Sequence, residues 1–211
     1  MTQQVYTPPG NAAWCDLVNP RLFQDKARWE GDKGRYSLTL QLDPDSPKTV
    51  EFRQRMEAAG DELFQEMDAQ EKKKLIKANG FLPIEEEEDE NGDPTGLLIV
   101  KASRNAGGIT QNGPRKGKEW SRNVTLFDTE GQQKEFNDLG RGTRLIACVT
   151  PQAYRVPGSK NEVRVKLELR SAMILRPEYR SNDEGSDFKG FQVDDEEFSS
   201  NFEAASADGD Y

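Results

Sequence analysis

The chain has 211 residues, of which 34% are apolar and 32% charged, so it has room for one packed domain and a polar appendage. The net charge of −9 is unevenly distributed: residues 183–211 contain ten acids and one base, and residues 85–93 contain seven acids and no base. With no histidine and only two cysteines, histidine-based triads and histidine or four-cysteine zinc sites are excluded. We find no residues for an enzyme active site and expect neither a metal nor another cofactor.

The cysteines and the hydropathy pattern indicate the compartment. Cys15 and Cys148 lie in apolar stretches far apart in the sequence, which favours buried free thiols over a disulfide. No run approaches 18 apolar residues, and the N-terminus lacks the basic-then-apolar pattern of a signal peptide. We expect a soluble protein of a reducing compartment that does not engage a membrane.

The first predicted elements in chain order are a strand around residues 12–18, a strand over residues 35–42 and a long helix. Residues 35–42 alternate polar and apolar side chains, the pattern of a half-buried strand. Ser46 and Pro47 suit the N-cap and first position of a helix that extends to about residue 79. Its apolar stripe comprises Phe52, Met56, Ala59, Leu63 and Met67. Gly60 lies inside that helix and should weaken it by about 1 kcal/mol relative to alanine.

Short strands and turns follow the helix. The predicted strands cover residues 81–85, 97–104, 122–127, 132–136, 143–156 and 162–176, with 122–127 and 132–136 forming a hairpin and a glycine-rich loop over 104–119. Residues 85–94 read as a solvated acidic loop, because Pro94 stands where a calcium-binding loop needs glycine. One helix inserted among short antiparallel strands predicts a mainly β fold, a small barrel or a sandwich.

The strand over residues 162–176 separates its side chains into two faces. The predicted inward face comprises Val163, Val165, Leu167, Leu169, Met173 and Leu175, and the outward face Arg164, Lys166, Glu168, Arg170 and Arg176. A mostly cationic outer face on one strand alone would be an ordinary solvated surface.

Further cations and aromatic rings cluster in the same third of the chain. Residues 101–182 contain sixteen bases and eight acids. A protein that binds a single nucleic-acid strand needs cations for the phosphates and aromatic rings on which the bases stack. Each stacked base contributes about 1–3 kcal/mol to binding. The candidate nucleic-acid-binding residues are Lys101, Arg104, Arg115, Lys116, Lys118, Trp120, Arg122, Tyr154, Arg155, Lys160, Arg164 and Lys166. Trp14 and Trp29 are further candidates for stacking, and the polar surroundings of Trp29 predict that it is exposed.

The composition changes after residue 182. Residues 183–211 cannot bury enough apolar surface to offset their ordering entropy, and we predict a disordered acidic tail after a domain of residues 1–182. Aromatic side chains spaced through the acids favour a tail that competes with DNA or binds partners over one that only confers solubility. The candidate partner-binding residues are Asp194, Asp195, Glu196, Glu197, Phe198, Phe202, Asp208, Asp210 and Tyr211.

Four stretches resemble the replicative single-stranded-DNA-binding proteins of short-tailed bacteriophages. They are residues 36–44 with the following helix, residues 90–103, residues 149–155 with 163–175, and the acidic end at residues 208–211. The resemblance runs from about residue 10 to the end and departs from the family in the long glycine-rich loop. It implies an OB-fold (a five-stranded barrel) with the helix inserted, and a role in phage DNA replication and recombination in the cytoplasm of the infected bacterial host.

The same resemblance implies the partners. The tail would dock on the phage DNA polymerase and primase-helicase and cover the DNA groove when DNA is absent, and two copies would dimerise through tail and groove. Two alternatives stay open. An RNA-binding OB protein would use the same face, since no residue identifies a 2′-hydroxyl. An acidic adaptor or DNA mimic would explain the net charge but would leave the clustered bases without a role.

Overall fold

The computed structural model describes residues 4–22, 24, 26–70 and 74–180, and the predicted tail with its partner-binding residues lies outside this part. The elements are strands and one α-helix within the described ranges. They are β1 (Val5–Tyr6), β2 (Gly10–Arg21), β3 (Arg35–Leu42), α1 (Pro47–Gln70), β4 (Ile76–Lys77), β5 (Ile84–Glu88), β6 (Pro94–Asn105), β7 (Gly107–Ile109), β8 (Glu119–Ser121), β9 (Thr125–Phe127), β10 (Arg144–Arg155) and β11 (Glu162–Arg176).

The long strands pair into a closed ring. Their order is β2–β3–β6–β11–β10, and β10 returns to pair with β2. All these pairs are antiparallel except β6 with β11, which is parallel. This ring has the strand order and the parallel closure of the five-stranded OB barrel. The predicted mainly β, OB-like barrel with an inserted helix is therefore confirmed.

The period-2 pattern placed β3 and β11 correctly, but the faces of β11 are not constant along its length. Val163, Val165, Leu167 and Leu169 are buried as predicted. A β-bulge at Arg170 then shifts the register, since Leu169 pairs with Val149 and Ser171 with Cys148. Beyond the bulge Ala172 and Ile174 are buried instead of the predicted Met173 and Leu175. The extra residue in the bulge exchanges the two faces of the strand.

Helix α1 packs its predicted stripe on the barrel. Ser46 precedes it and its carbonyl accepts hydrogen bonds from the backbone N–H groups of Thr49 and Val50. Phe52 and Met56 are buried in the core, while the C-terminal half of the stripe is only half-buried. An ideal Cβ on Gly60 would lie 2.8 Å from Cδ2 of Leu82 and 3.1 Å from Cε1 of Phe81. The glycine thus lets the helix approach the chain that follows it.

Two predicted loops and one predicted hairpin differ from the structure. The acidic run is a strand as far as Glu88, because β5 pairs with β6 and only the following turn is a loop. The glycine-rich segment contains the β7–β8 hairpin. The predicted hairpin after residue 122 reduces to one bridge between Phe127 and Gln133, because β9 pairs with β11 instead.

The core fills the barrel and the groove under α1. Among its fully buried side chains are Leu40, Met56, Leu145, Leu167 and Leu169. Cys15 and Cys148 are buried and free, as predicted. No helix in the described ranges is long and apolar enough to cross a membrane.

Candidate nucleic-acid interface

A cationic cleft lies on the outward face of the barrel. It has a volume of about 360 Å³, and its lining includes Gly80, Leu82, Pro83 and Glu85. Its walls are the outward residues of four barrel strands: Arg35, Ser37 and Thr39 of β3, Lys101 and Ser103 of β6, Tyr154 of β10, and Arg164 and Lys166 of β11. These strands include the second and third of the barrel, whose face binds oligonucleotides in OB-folds.

Strand register explains why these side chains converge. Tyr154 pairs directly with Arg164 across the β10–β11 ladder, so the phenol ring and the guanidinium lie on the same face. Thr39 pairs with Lys101 across β3 and β6 in the same way. The parallel pairing of β6 with β11 then brings Lys166 beside this second pair. Four residues predicted from the sequence, Lys101, Tyr154, Arg164 and Lys166, are thereby collected in one cleft.

The cations of the cleft differ in how they are held. Lys101 Nζ contacts Glu85 Oε2 at 2.6 Å in an exposed ion pair. Arg35 Nε donates to Asn105 Oδ1 at 3.3 Å. Burial lowers the pKa of Arg35 below its ordinary value, the nearby Arg28 adds to this, and Asp32 partly offsets it. Within the described part of the chain, Arg164 and Lys166 have no ion-pair partner, so both are open to an incoming phosphate.

A second group of cations surrounds Glu168, which follows the cleft along β11. Arg122 Nη1 lies 3.3 Å and Arg170 Nη1 3.4 Å from Glu168 Oε1, and Gln152 Nε2 donates to Oε2 at 2.6 Å. The carboxylate is only 14% exposed, so its charge offsets both guanidinium groups at short range. Arg122, a residue predicted from the sequence, is therefore paired with Glu168 and does not line the cleft.

Arg104 faces the interior side of β6. It pairs across the ladder with Tyr36, which is buried, and its Nη1 donates to the carbonyl oxygens of Leu169 at 3.5 Å and Arg170 at 3.4 Å. Its Nε is buried with no hydrogen-bond partner in the described part of the chain. Burial lowers the pKa of Arg104, against the opposing effect of Glu168. The structure thus places this candidate outside the cleft.

The β7–β8 hairpin carries the remaining candidates of the glycine-rich segment. Arg115, Lys116 and Lys118 are exposed in its turn, and Trp120 on β8 is half-buried. An ideal Cβ on Gly108 would lie 2.7 Å from Nε1 of Trp29 and 3.5 Å from Cζ2 of Trp120. Both indoles therefore pack close to Gly108, and Trp29 is half-buried rather than exposed as predicted.

An ion pair ties this hairpin to the loop between β2 and β3, and each of the two segments has its own cation–π contact. Lys33 Nζ lies 2.6 Å from Glu119 Oε1. The Arg28 guanidinium is 4.4 Å from the ring centroid of Trp29, and that of Arg122 is 5.0 Å from the ring centroid of Trp120. The loop and the hairpin form one arm that carries cations and indoles beside the barrel.

The turn between β10 and β11 carries the last two candidate residues, Arg155 and Lys160. Arg155 Nη1 donates to the carbonyl oxygen of Lys160 at 2.5 Å, and the Lys160 side chain is exposed. In OB-folds this turn and the loop between the first two barrel strands flank the oligonucleotide site. The predicted residues Arg155 and Lys160 therefore lie in a segment that borders such a site.

Sequence reasoning missed Arg35. It occupies the polar phase of β3, together with Ser37 and Thr39, and that alternation was the signal that could have identified it.

A larger cavity of about 670 Å³ lies elsewhere, between α1, β1 and the far half of β10 and β11, with a mostly apolar lining that includes Tyr6, Ile146 and Met173. None of the predicted nucleic-acid-binding residues lines it. Over the described residues, no cluster of Cys, Asp or Glu could hold a metal ion.

Comparison with solved structures identifies proteins of similar fold. No protein-family model and no curated protein sequence matches the chain. The structure is similar to gp2.5, a single-stranded DNA binding protein encoded by bacteriophage T7, with a TM-score of 0.60 and 18% identity, covering 86% of this chain and 96% of that one.

A second similar protein is the single-stranded DNA-binding protein from bacteriophage Enc34, in complex with ssDNA. Its TM-score is 0.56 at 13% identity, covering 83% of this chain and 87% of that one. A C-terminal truncation of the Enc34 protein matches with the same TM-score and identity. These neighbours belong to the class of phage protein that the sequence resembles, and at such identities they show a shared fold.

Proposed function

We propose that this chain binds single-stranded DNA through the cleft, without preference for sequence. The observation that carries this proposal is the convergence of Arg35, Lys101, Arg164, Lys166 and Tyr154 on the open face of an OB-like barrel. Two solved proteins of similar fold are described as single-stranded DNA-binding proteins, and one was solved with ssDNA bound.

Each part of the cleft has a physical role in this proposal. Arg164 and Lys166 pair with phosphates, and the Tyr154 ring stacks on a base. Phosphate pairing and ring stacking do not read base edges, so we expect binding to depend on charge and stacking rather than on sequence. The arm with Trp29 and Trp120 and the turn at Lys160 contact the strand on either side.

We propose further that binding serves phage DNA replication and recombination in the cytoplasm of the infected host, with no enzymatic activity of the chain itself. The acidic residues 183–211 would compete with DNA for the domain of residues 1–182 and recruit the phage DNA polymerase and primase-helicase. Homodimerisation belongs to the same proposal. Support comes from the sequence resemblance and from the acidic, aromatic composition of the tail.

Fluorescence titration tests the binding proposal. The full chain and a chain ending at residue 182 are titrated with oligo-dT, oligo-U and a DNA duplex of equal length, at two salt concentrations. We expect tryptophan quenching by oligo-dT, tighter binding without the tail and weaker binding at higher salt. A preference for oligo-U would favour the RNA-binding alternative, and no binding by either chain would favour the acidic adaptor.

A substitution in the cleft tests the site. Tyr154→Ala should weaken oligo-dT binding by about 1–3 kcal/mol if the ring stacks on a base. The matched control is Tyr6→Ala, an exposed tyrosine on β1 that lines the other cavity. Equal affinity of the Tyr154→Ala variant and the native chain would remove Tyr154 from the site.

A further inference from the structure

The cavity between α1, β1, β10 and β11 leaves bulky apolar side chains open to solvent. Tyr6 lines it and is 66% exposed, the highest value for a large apolar side chain among the described residues. Tyr6 pairs with Cys148 across β1 and β10, and Ile146 pairs with Met173 across β10 and β11. All four side chains line the cavity, so its wall is a continuous apolar surface.

The β-bulge at Arg170 is what places Met173 in this wall. With an unbroken alternation along β11, Met173 would face the barrel core, but beyond the bulge it is half-buried and lines the cavity. Ile146 opposite it is also half-buried. Leaving apolar area in water costs about 25 cal/mol per Å², and a contiguous open apolar surface commonly marks a place where another molecule binds.

The polar residues of the cavity are mainly cationic. Lys48, Arg55 and Arg170 line it together with one acid, Glu51, so the lining has a net charge of +2. Arg55 Nη2 lies 2.5 Å from Glu51 Oε1, and Arg170 Nη1 lies 3.4 Å from Glu168 Oε1. Lys48 is exposed and has no ion-pair partner in the described part of the chain. An anion that reaches the cavity therefore finds at least one unpaired cation.

The start of α1 adds to this positive potential. Lys48 lies in the first turn of α1, and Phe52 in the next turn also lines the cavity. A helix N-terminus has a partial positive charge of about half an elementary charge. The first turn of α1 contains no acidic residue that would offset it. The dipole and the cations thus favour carboxylates, while the apolar wall favours a bulky side chain without charge.

We infer that this cavity docks an acidic segment of another protein, with an aromatic or large aliphatic side chain against Ile146 and Met173 and carboxylates near Lys48 and Arg55. Its volume of about 670 Å³ is in the range of ligand-binding cavities. No residue that lines the DNA-binding cleft also lines this cavity, so the two sites have separate walls. The proposed function assigns the acidic residues of this chain to the cleft, which leaves the cavity to a different protein.

Calorimetric titration of the full chain with model peptides tests the chemistry and needs no label. The probe is a short capped peptide with a central phenylalanine flanked on both sides by aspartate and glutamate. One matched peptide has serine in place of phenylalanine, and another has asparagine and glutamine in place of the acids. We expect loss of the phenylalanine to weaken binding about 10- to 150-fold, and the uncharged peptide to bind more weakly than the probe.

Substitutions locate the binding site. Lys48→Glu should weaken binding of the probe about 2- to 30-fold, because an attraction becomes a repulsion of similar size. Tyr6→Ala should weaken it about 2- to 12-fold through the lost aromatic contact. The matched controls are Arg53→Glu, a charge reversal on α1 outside the cavity, and Tyr179→Ala, an exposed tyrosine that does not line it. Thermal denaturation establishes that each variant is folded.

The outcomes separate the possible occupants. No binding of the probe, or equal binding by native chain and folded Lys48→Glu and Tyr6→Ala, would overturn the docking site. If a chain ending at residue 182 binds the probe and the full chain does not, the occupant is this chain's own acidic segment, and the assignment to another protein is refuted. A native chain that self-associates where Lys48→Glu does not would make the occupant a second copy and refute the assignment as well.

Oligo-dT binding of the same variants separates this inference from the proposed function. Lys48→Glu should lose no more oligo-dT affinity than Arg53→Glu does, because neither residue lines the cleft. The probe should bind equally well with and without saturating oligo-dT. If oligo-dT displaces the probe, the two sites are not separate and the inference fails. If the chain binds the probe and does not bind oligo-dT, the docking site stands and the proposed function fails.

Discussion

Replacing Arg164 by glutamine should remove one phosphate contact from single-strand binding. Arg164 is exposed in the cleft opposite Tyr154, and glutamine keeps a long polar side chain beside that ring. Each phosphate neutralised by a protein cation contributes about −0.7 to the slope of log K against log salt for a single strand. Four cations line the cleft, so the cleft contributes a slope of about −2.8 and the variant about −2.1.

The two slopes predict how the difference in affinity between native protein and variant changes with salt. The slopes differ by about 0.7, so the affinity deficit of the variant should shrink about fivefold between 0.1 M and 1 M salt. Fluorescence anisotropy of labelled oligo-dT at several salt concentrations measures both slopes. Arg53→Gln is the control, because Arg53 lies on α1 and does not line the cleft. Parallel lines for native protein and Arg164→Gln would refute a phosphate contact at this position.

Three further predictions concern single side chains. Gly60→Ala should lower the urea midpoint, because the new Cβ would press on both Leu82 and Phe81, and an overpacking cost of about 2 kcal/mol exceeds a gain of about 1 kcal/mol in helix propensity. A raised midpoint would contradict this. Burial raises the pKa of the Cys15 thiol to about 12. In a Cys148→Ser variant at pH 8, Cys15 should therefore react with an aromatic disulfide reagent only after unfolding, and rapid labelling of the folded variant would contradict this prediction. Glu168→Gln should raise oligo-dT affinity about threefold at low salt, the effect of removing one charge about 6 Å from a phosphate in water, and anisotropy showing equal or weaker binding would count against it.

Local patterns predicted the strongest elements and part of the site. The alternation in residues 35–42 and 162–176 gave both strands with their observed limits, because a half-buried strand imposes a period of two on its own residues. The same alternation placed Arg164 and Lys166 on the outer face of β11. The sequence also predicted the helix start at Pro47, because a helix N-terminus has steric and hydrogen-bonding requirements that local residues meet.

Features that depend on distant partners could not be predicted in this way. The acidic residues after Ile84 form a strand only because β6 offers them a ladder, and β9 leaves its expected hairpin to pair with β11. Arg104 was a plausible phosphate ligand until its register with buried Tyr36 placed it on the interior side. Each of these outcomes is set by which strands become neighbours.

The sequence by itself determined the period of each long strand, the amphipathic helix, and the collection of cations in the second half of the chain. Only the tertiary structure decided that Arg170 would form a bulge and exchange the faces of β11, and that Arg35 would join the cleft. The physical reason is that alternation is a property of one segment. Barrel closure instead fixes which segments meet and in what register, even across long separations such as the 164 residues between Asp16 and Arg180.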